Sequence, residues 1–400
     1  MSHIRAVINL DAVRHNTARL IELAQGAGVM AVVKANAYGH GILPVARAAI
    51  EAGATWLGVA QLDEAVELAA KLEPHRGNTR ILAWLYHPEA DFAGAVAAGV
   101  DLAVSSLTGL DGIGQAIERT QPSRTNAANP TSATTPARVH LKLDTGLGRA
   151  GAPGSQWPDL VKAALRLQSE GLIVIEGVWS HFAYADDPGN PTIAGQITAF
   201  EAGIELARSL GARFKVRHLA NSAALATALP VTYDLVRPGL ALYGLSPIPQ
   251  VASASELGLV GAMALESYLS LVKPVPGGQG LSYGHSYITP RDTITGIVPV
   301  GYADGLFRSA SNHGPVRVGG RNLAVAGRIC MDQFVLDLGL GALDQAGDRV
   351  VLFGPGLDGE PTVQDWADAA GTIAYEITTR LPGQIERYYV GRGTSGGRLL

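Results

Sequence analysis

The sequence predicts an α/β protein with an N-terminal (β/α)8 TIM-type barrel and a C-terminal, mainly β domain. Eight short apolar runs alternate with amphipathic stretches between residues 10 and 245. Short parallel strands joined by helices form βαβ units, and eight such units fit a closed barrel. After about residue 250, long helices give way to alternating stretches with Gly-rich turns, which are typical of β structure. An open doubly wound sheet is the alternative for the first part.

The composition excludes several classes of protein. Of 400 residues, 47% are hydrophobic and 16% are charged, which excludes disorder over most of the chain. The net charge of -4 is too weak to predict binding to nucleic acid or anionic membranes. A single Cys excludes a disulfide framework and favours the reducing cytoplasm. No apolar run is long enough to span a bilayer, and MSHIRAVINLD does not resemble a signal peptide, so we expect neither membrane insertion nor export.

The elements follow in order along the chain. The first helix is predicted in DAVRHNTARLIELAQG, with Asp11 as N-cap and Gly26 as the residue that ends it. A later helix, ITAFEAGIELARSLG, ends at Gly211. The strand-like runs lack polar alternation, as expected of strands buried on both faces. In order they are GVMAVVKAN, WLGVAQ, ILAWLY, DLAVSS, RVHLKLDT, IEGVWSHFA, VRHLANS and LVRPGLALYG.

The predicted domains are a barrel over residues 10–245 and a β domain over residues 246–400 that ends in a mobile tail, GRGTSGGRLL. Residues 121–137 are rich in Pro, Ser, Thr and Asn. The strand and helix rhythm resumes after them, so we interpret them as a surface insertion within the barrel.

Catalytic groups of a parallel barrel lie at the carboxyl ends of its strands. Lys34 ends the first barrel strand and is either an imine-forming lysine or one whose amine reaches solvent. Lys142 and Asp144 alternate along VHLKLD and would point the same way. Arg149 follows a Gly-rich turn, where it could hold a carboxylate or phenolate or lie on the surface.

Further polar residues follow the later strands. His181 and His218 are each either a satisfied core histidine or part of a site. Ser222 stands near a predicted helix start, which suits either a phosphate site or an ordinary N-cap. No Walker-type loop and no metal-ligand spacing of Cys and His occurs in the sequence, so no metal is expected.

Eight motifs together resemble the alanine racemase family, whose members use pyridoxal phosphate. In order they are AVVKANAYGHG, LKLDTGLGRAG, SHFA, ANSAA, VRPGLALYG, LSYGHSY, VGYADG and GRICMD. The resemblance runs from Lys34 to about Tyr375. It implies a barrel followed by a β domain, with residues 1–9 forming a strand that packs with the β domain. It also implies a head-to-tail homodimer in which the two subunits share each active site.

The resemblance also implies the cofactor contacts. Lys34 would form an imine with the cofactor aldehyde, Arg237 would face the pyridine nitrogen, and Arg149 would contact the phenolic oxygen. The residues implied at the phosphate are Tyr38, Ser222, Gly239 and Tyr375, and those implied elsewhere at the cofactor are His181 and Asn221.

Catalysis would use two bases on opposite faces of the substrate, because a single base returns the proton to the face it left. The resemblance implies Lys34 on one face and Tyr283, from the other subunit, on the opposite face, with His181 between Arg237 and Tyr283. The residues implied at the substrate are Arg149, Met331, Tyr302 and Asp332. Lys142 resembles a position that is carbamylated in many members.

The predicted function is therefore the interconversion of L-alanine and D-alanine in the cytoplasm, which would supply D-alanine for peptidoglycan. Three alternatives stay open. One is a pyridoxal-phosphate racemase of another small amino acid such as serine. Another is a barrel-type amino-acid decarboxylase, although Cys330 is followed by Met331 where a decarboxylase has a Cys-Asp pair. The third is a cofactor carrier without turnover, although carriers lack the β domain.

Overall fold

The computed structural model describes residues 3–73, 75–120, 135–229 and 231–392. The chain forms two units, a barrel unit of residues 17–34 and 49–242, and a β unit of residues 1–16, 35–48 and 243–400. Residues 10–16, 35–48 and 243–245, which the prediction placed in the barrel, are grouped with the β unit. The predicted insertion at 121–137 lies outside the described residues except for 135–137, as do residues 393–400 of the predicted tail.

The strands, numbered in chain order, are β1 (Arg5–Asn9), β2 (Gly28–Val32), β3 (Trp56–Gln61), β4 (Arg80–Leu85), β5 (Val100–Val104), β6 (Ala137–Lys142), β7 (Ile173–Trp179), β8 (Val216–His218), β9 (Leu235–Val236), β10 (Met263–Tyr268), β11 (Leu271–Val275), β12 (Gly280–Leu281), β13 (Tyr287–Ile288), β14 (Thr293–Val298), β15 (Pro315–Val318), β16 (Arg321–Ala324), β17 (Phe334–Asp337), β18 (Arg349–Phe353) and β19 (Glu386–Val390). The right-handed helices are Leu10–Leu23, Ile42–Glu51, Leu62–Leu72, Phe92–Ala97, Leu107–Thr120, Trp157–Ser169, Thr192–Ser209, Ser222–Ala226, Val363–Ala370 and Ala374–Thr379.

The barrel unit contains one parallel sheet in the order β8-β7-β6-β5-β4-β3-β2-β9. The sheet closes because β9 pairs with β2, with Leu235 opposite Gly28, and because Asn221 and Arg237 bridge the chain just after β8 and β9. All eight predicted runs are strands of this barrel, so the (β/α)8 prediction is confirmed and the open sheet is excluded. Buried side chains from six strands meet inside it, namely Met30, Trp56, Leu82, Ala103, Trp179 and Leu235.

The first helix begins one residue before the predicted cap. The side-chain oxygen of Asn9 accepts the backbone N–H groups of Asp11 at 3.0 Å and Ala12 at 3.2 Å. Asn9 is therefore the N-cap, and the assignment of Asp11 was wrong, because the chain leaves β1 directly into the helix. Gly26, at φ 96°, follows the end of this helix, and Gly211, at φ 106°, follows Thr192–Ser209 as predicted.

The β unit is built on a six-stranded sheet in the order β16-β15-β18-β10-β1-β19. Strand β1 lies inside this sheet, antiparallel to β10 and parallel to β19. A three-stranded sheet, β11-β14-β17, and the hairpin β12-β13 complete the strands described here. Trp366 packs in the core and donates its indole N–H to the carbonyl oxygen of Leu352 at 2.6 Å. Of the helices named above, none is long and apolar enough to cross a bilayer.

Candidate active site

Lys34 follows β2 and begins a left-handed helical turn, Lys34–Tyr38. The backbone of Ala35, Asn36 and Ala37 has φ of 53° with ψ between 47° and 52°, and Tyr38 has φ of 52°. Each non-glycine residue in this region costs about 1–2 kcal/mol. Backbone strain of this kind is concentrated at functional sites, which marks the turn as more than a connection.

Hydrogen bonds within the β unit hold this turn. The side-chain oxygen of Asn36 accepts the N–H of Ile42 at 2.8 Å. The buried ring of His40 donates from Nδ1 to the carbonyl oxygens of Ala37 and Tyr38, each at 3.0 Å. Tyr38 is itself buried, with its ring centroid 4.7 Å from that of Tyr243. The left-handed conformation is thus specified from several sides.

A cluster of cations lies at the carboxyl ends of the barrel strands. Burial lowers the pKa of Lys34, and the charge of Arg149 lowers it further. Lys142 is buried, with Nζ 4.2 Å from the centroid of the Trp179 ring. Burial, followed by the charges of Arg237 and Arg149, lowers the pKa of Lys142 to about 8. The four cations Lys34, Lys142, Arg149 and Arg237 therefore share one electrostatic environment.

These four cations have no ion pair within the described part of the barrel unit. Asp144, which the sequence predicts to point the same way as Lys142, hydrogen bonds to its own turn instead of forming an ion pair with Lys142. Its carboxylate accepts the N–H groups of Gly146, Leu147 and Gly148, and so builds the turn before Arg149. The charges of Asp144 and Glu64 raise the pKa values of Lys142 and Lys34, respectively, and so offset part of this positive charge. The two arginines leave the cluster positive, which attracts an anionic ligand.

Arg237 is buried and makes four hydrogen bonds. Its Nη2 donates to the carbonyl oxygens of Ser180 at 2.7 Å and Leu219 at 3.1 Å, and its two Nη atoms approach Nδ1 of His218 at 3.2 Å and Nδ1 of His181 at 3.3 Å. Burial lowers the pKa of Arg237 to about 9, so the guanidinium is still protonated at neutral pH. Burial and then the charge of Arg237 lower the pKa of His181 to about 3, so His181 is neutral.

Ser222 lies at the start of the short helix Ser222–Ala226, but it is not the N-cap. Asn221 takes that role, because its side-chain oxygen accepts the N–H of Ala224 at 3.0 Å. The hydroxyl oxygen of Ser222 instead accepts the N–H groups of Gly239 at 2.8 Å and Ala241 at 3.4 Å. Its own O–H is left to donate to a ligand beside Gly239.

Predicted residues of the β unit fall into two groups. Tyr38 and Tyr375 form the first, with ring centroids 5.8 Å apart, and burial followed by the neighbouring Tyr375 raises the pKa of Tyr38. The second group is exposed and consists of Tyr283 (71% exposed), Met331 (54%), Tyr302 (37%) and Asp332.

Backbone contacts bring the exposed group together. The N–H of Tyr302 donates to the carbonyl oxygen of Cys330 at 3.0 Å, and that of Ala303 to the carbonyl oxygen of Met331 at 2.9 Å. Ser282, next to Tyr283, donates its hydroxyl to the carbonyl oxygen of Arg328 at 2.6 Å. Ser282 has φ of 59°, so the backbone before Tyr283 is strained as well.

Sequence reasoning missed His140 and Trp179. The ring centroid of Trp179 lies 4.2 Å from Nζ of Lys142 and 5.0 Å from the guanidinium carbon of Arg237, and Nδ1 of His140 lies 2.9 Å from Nε2 of His218. Both could have been found from the period-two pattern of a strand, because His140 alternates with Lys142 and Trp179 alternates with His181. Within the described ranges, no group of three or more His, Cys, Asp or Glu could hold a metal ion.

Comparison with known proteins identifies the family. The family description "Alanine racemase, N-terminal domain" matches residues 8–247, and "Alanine racemase, C-terminal domain" matches residues 262–389. This chain belongs to the alanine racemase family.

Relatives in this family match nearly the whole chain. The alanine racemase of Streptomyces coelicolor is 51% identical over 387 residues, which cover 96% of this chain and 95% of that protein. The crystal structure of alanine racemase from D-cycloserine-producing Streptomyces lavendulae superimposes with a TM-score of 0.91 at 47% identity, covering 98% of both chains. A structure of the Streptomyces coelicolor enzyme gives the same TM-score at 50% identity and the same coverage. The chain is accordingly an amino-acid racemase, an isomerase.

Proposed function

We propose that this protein interconverts L-alanine and D-alanine with pyridoxal 5'-phosphate as its cofactor. The observation that carries the proposal is the cluster of Lys34, Lys142, Arg149 and Arg237, which has no ion pair among the described residues. A site with this charge suits a ligand that bears a phosphate and a phenolate. The similar proteins are named alanine racemases, and on that basis we propose alanine as the substrate.

The residues present fit this cofactor. Burial and Arg149 lower the pKa of Lys34, which favours the neutral amine needed to bond an aldehyde carbon. The O–H of Ser222 and the neighbouring Gly239 would hold the phosphate, with Tyr38 and Tyr375 contributing their hydroxyls. Asn221 would stand beside them as the cap of the short helix. When bound, the cofactor would supply an electron sink that acidifies the Cα–H of the amino acid.

Proton exchange would need one base on each face of the substrate. Lys34 would exchange a proton on one face, and Tyr283 of a second copy of this chain would do so on the other. Tyr283 is 71% exposed within one chain, and Met331 and Tyr302 are exposed on adjoining segments. An exposed aromatic cluster of this kind suits an interface, which supports a homodimer with shared sites.

The neutral His181 would connect the cation network to the second base. Its Nδ1 accepts from Arg237, so its ring proton is on Nε2, which can donate to the phenolate form of Tyr283. Arg237 would face the ring nitrogen of the cofactor. Arg149 would contact the phenolic oxygen of the cofactor and the substrate.

The substrate carboxylate would be bound by the backbone N–H of Met331. Tyr302 and Asp332 would line the entrance, since they are exposed on the adjoining loop. The bulky side chain of Tyr302 at the entrance would favour a small substrate side chain, such as the methyl group of alanine.

Lys142 would carry a carbamate. With its pKa lowered to about 8, a useful fraction of its amine is neutral near physiological pH. The neutral amine can add to CO2 with loss of one proton, which replaces a buried cation by an anion beside Arg149. That exchange would relieve the charge repulsion within the cluster.

We further propose that the protein acts in the cytoplasm and that its D-alanine supplies peptidoglycan. The single Cys suits a reducing compartment.

The test is to incubate the purified protein with L-alanine and pyridoxal phosphate in D2O, and to follow optical rotation and deuterium at Cα. We expect loss of rotation with deuterium incorporation. Tyr283→Phe should lower racemisation by about 10²–10⁴-fold, because it removes one of two bases. Tyr287→Phe is the matched control, since it removes only the hydrogen bond to Asp337 and should racemise normally.

Other outcomes contradict the proposal in distinct ways. Exchange with retained rotation would mean that only one base acts on alanine, which would point to another amino acid such as serine. Absence of exchange would overturn alanine as the substrate, and release of CO2 would then favour the decarboxylase.

A further inference from the structure

A chain of hydrogen bonds crosses the barrel interior beneath Arg237. Nη1 of Arg237 lies 3.2 Å from Nδ1 of His218, and Nε2 of His218 lies 2.9 Å from Nδ1 of His140. Nε2 of His140 lies 3.3 Å from a carboxylate oxygen of Asp101. His218, His140 and Asp101 are all fully buried. These hydrogen bonds therefore connect Arg237, at the carboxyl ends of the strands, with Asp101, near their amino ends.

Only one arrangement of ring protons satisfies every contact in this chain. A guanidinium only donates, so Nδ1 of His218 must accept and its proton must be on Nε2. That proton donates to Nδ1 of His140, whose own proton must then be on Nε2, where it donates to Asp101. In this arrangement every donor points from Arg237 towards Asp101.

The residues around His140 and His218 make room for the two imidazole rings and pack against them. A Cβ on Gly177 would lie 2.4 Å from Nδ1 of His140, so glycine makes room for the ring on the neighbouring strand. The pairing of β6 and β7 shifts register between Val139 and His140, which changes where that side chain points. The ring of Trp179 stacks on His218 at 5.5 Å and 5°.

The far end of the chain is anchored by an ion cluster. Asp101 also accepts a hydrogen bond from Nε of Arg138 at 2.6 Å and pairs with Arg80. Burial opposes ionisation of Asp101, but its hydrogen-bonding and electrostatic interactions with His140 and the charges of Arg80 and Arg138 hold its pKa below the ordinary value. The carboxylate of Asp101 is thus a fixed acceptor at one end of the hydrogen-bonded series Arg237–His218–His140–Asp101, which we call the relay.

Taken with the function proposed above, on which this inference rests, we infer that Asp101, His140 and His218 are positioning residues for Arg237. They would orient its guanidinium towards the ring nitrogen of a bound cofactor, because the ordered hydrogen bonds leave His218 with an acceptor that faces Arg237. A guanidinium held there would donate to that nitrogen and would disfavour its protonation. Breaking this series of hydrogen bonds would let the guanidinium of Arg237 move. We expect such movement to favour transamination, in which the amino group of the substrate is transferred to the cofactor.

The test compares two substitutions at His140. His140→Met keeps the volume but ends the chain, whereas the amide of His140→Gln can still accept from His218 and donate to Asp101. We expect His140→Met to lower kcat and to raise transamination per turnover by about 10–100-fold, as when a supporting group is displaced. His140→Gln should restore both to near the wild-type values. Equal behaviour of the two variants would overturn the inference.

A control separates positioning from general stability. Arg138→Gln removes one ion-pair partner of Asp101 but leaves the chain of rings intact. We expect it to lower the unfolding temperature without raising transamination. If Arg138→Gln raised transamination as much as His140→Met did, the relay would be only structural.

A second measurement needs neither activity nor cofactor. In the cofactor-free protein labelled with ¹⁵N-histidine, the nitrogen shifts should show His218 and His140 protonated at Nε2 alone. Protonation of His218 at Nδ1 in the wild-type protein would overturn the relay, even if no variant folded. This result would stand even if alanine proved not to be the substrate, so the two proposals can fail separately.

Discussion

Nε of Arg387 donates a 2.9 Å hydrogen bond to the carbonyl oxygen of Gly39, directly after the left-handed turn Lys34–Tyr38. The remaining guanidinium nitrogens donate to the carbonyl oxygens of Leu381, Pro382, Gly383 and Ile385. One cation thereby joins two segments of the β unit, and it does so without an ion pair among the described residues.

Replacing Arg387 with Gln should destabilise the turn. The substitution leaves several part-buried carbonyl oxygens without donors, so we expect a loss of about 2–4 kcal/mol in the free energy of unfolding. Urea unfolding measures this loss, and hydrogen exchange at residues 35–41 should accelerate. Arg317→Gln removes a half-buried arginine whose hydrogen bond to the carbonyl oxygen of Gly359 is exposed. A loss as large as that of Arg387→Gln in this control would contradict the assignment.

The strain in the turn predicts an unusual response to glycine. Ala35 is exposed and has φ of 53°, a conformation that glycine adopts freely. Relief of about 1–2 kcal/mol of strain should outweigh the entropy that glycine adds to the unfolded chain, so Ala35→Gly should be neutral or stabilising. Ala18→Gly, at an exposed position in Leu10–Leu23, should instead cost about 1 kcal/mol. Equal losses in urea unfolding would mean that the turn is not strained.

Lys142 should destabilise the protein when it is free of CO2. Its pKa in the folded chain is about 8, below the ordinary value of 10.5, so the unfolded chain binds the proton more tightly. The penalty is fully present below pH 8, fades as pH rises towards 10.5, and is absent above that. In CO2-free buffer near neutral pH, Lys142→Met should therefore stabilise the protein by about 1–3 kcal/mol.

The matched control for this substitution is Lys162→Met, which changes an exposed lysine on the helix Trp157–Ser169. It should alter the free energy of unfolding by less than about 0.5 kcal/mol at any pH. A gain from Lys142→Met that stayed constant up to the ordinary lysine pKa would contradict the electrostatic explanation.

The buried His40 should make the protein sensitive to acid. Burial lowers the pKa of His40 from 6.5 to about 4, although its hydrogen bonds to two carbonyl oxygens oppose the shift. Its neutral form therefore contributes stability that is complete above pH 6.5 and is lost progressively as pH falls from 6.5 to about 4. Between neutral pH and about pH 5, His40→Gln should reduce the fall in unfolding free energy by about 1–2 kcal/mol. His87→Gln, at an exposed position, is the control and should leave that fall unchanged.

The positions of the barrel strands and of several site residues could be predicted from local patterns. Each apolar run was long enough to form one buried strand. Since the carboxyl ends of parallel strands meet at one end of a barrel, Lys34, Lys142 and Arg237 were expected to lie close together. Burial is the largest cause of the lowered pKa of Lys142, and the charge of Arg237 lowers that pKa further, as expected of neighbouring cations.

Other features depend on contacts between distant residues. Asn9 rather than Asp11 caps the first helix, and the turn after Lys34 is left-handed although Ala35 and Ala37 carry no local signal for it. The hydrogen bond between His140 and His218 joins residues 78 positions apart.

Sequence pattern alone established the fold class and the order of the strands along the chain, because hydrophobic periodicity and strand direction are local properties. The same pattern predicted the end of the barrel at which the chemistry would lie. Tertiary structure decided which side chains touch across the barrel, which ring nitrogens carry protons and which backbone is strained. These depend on barrel closure, on strand register and on cations such as Arg387 that arrive from remote segments.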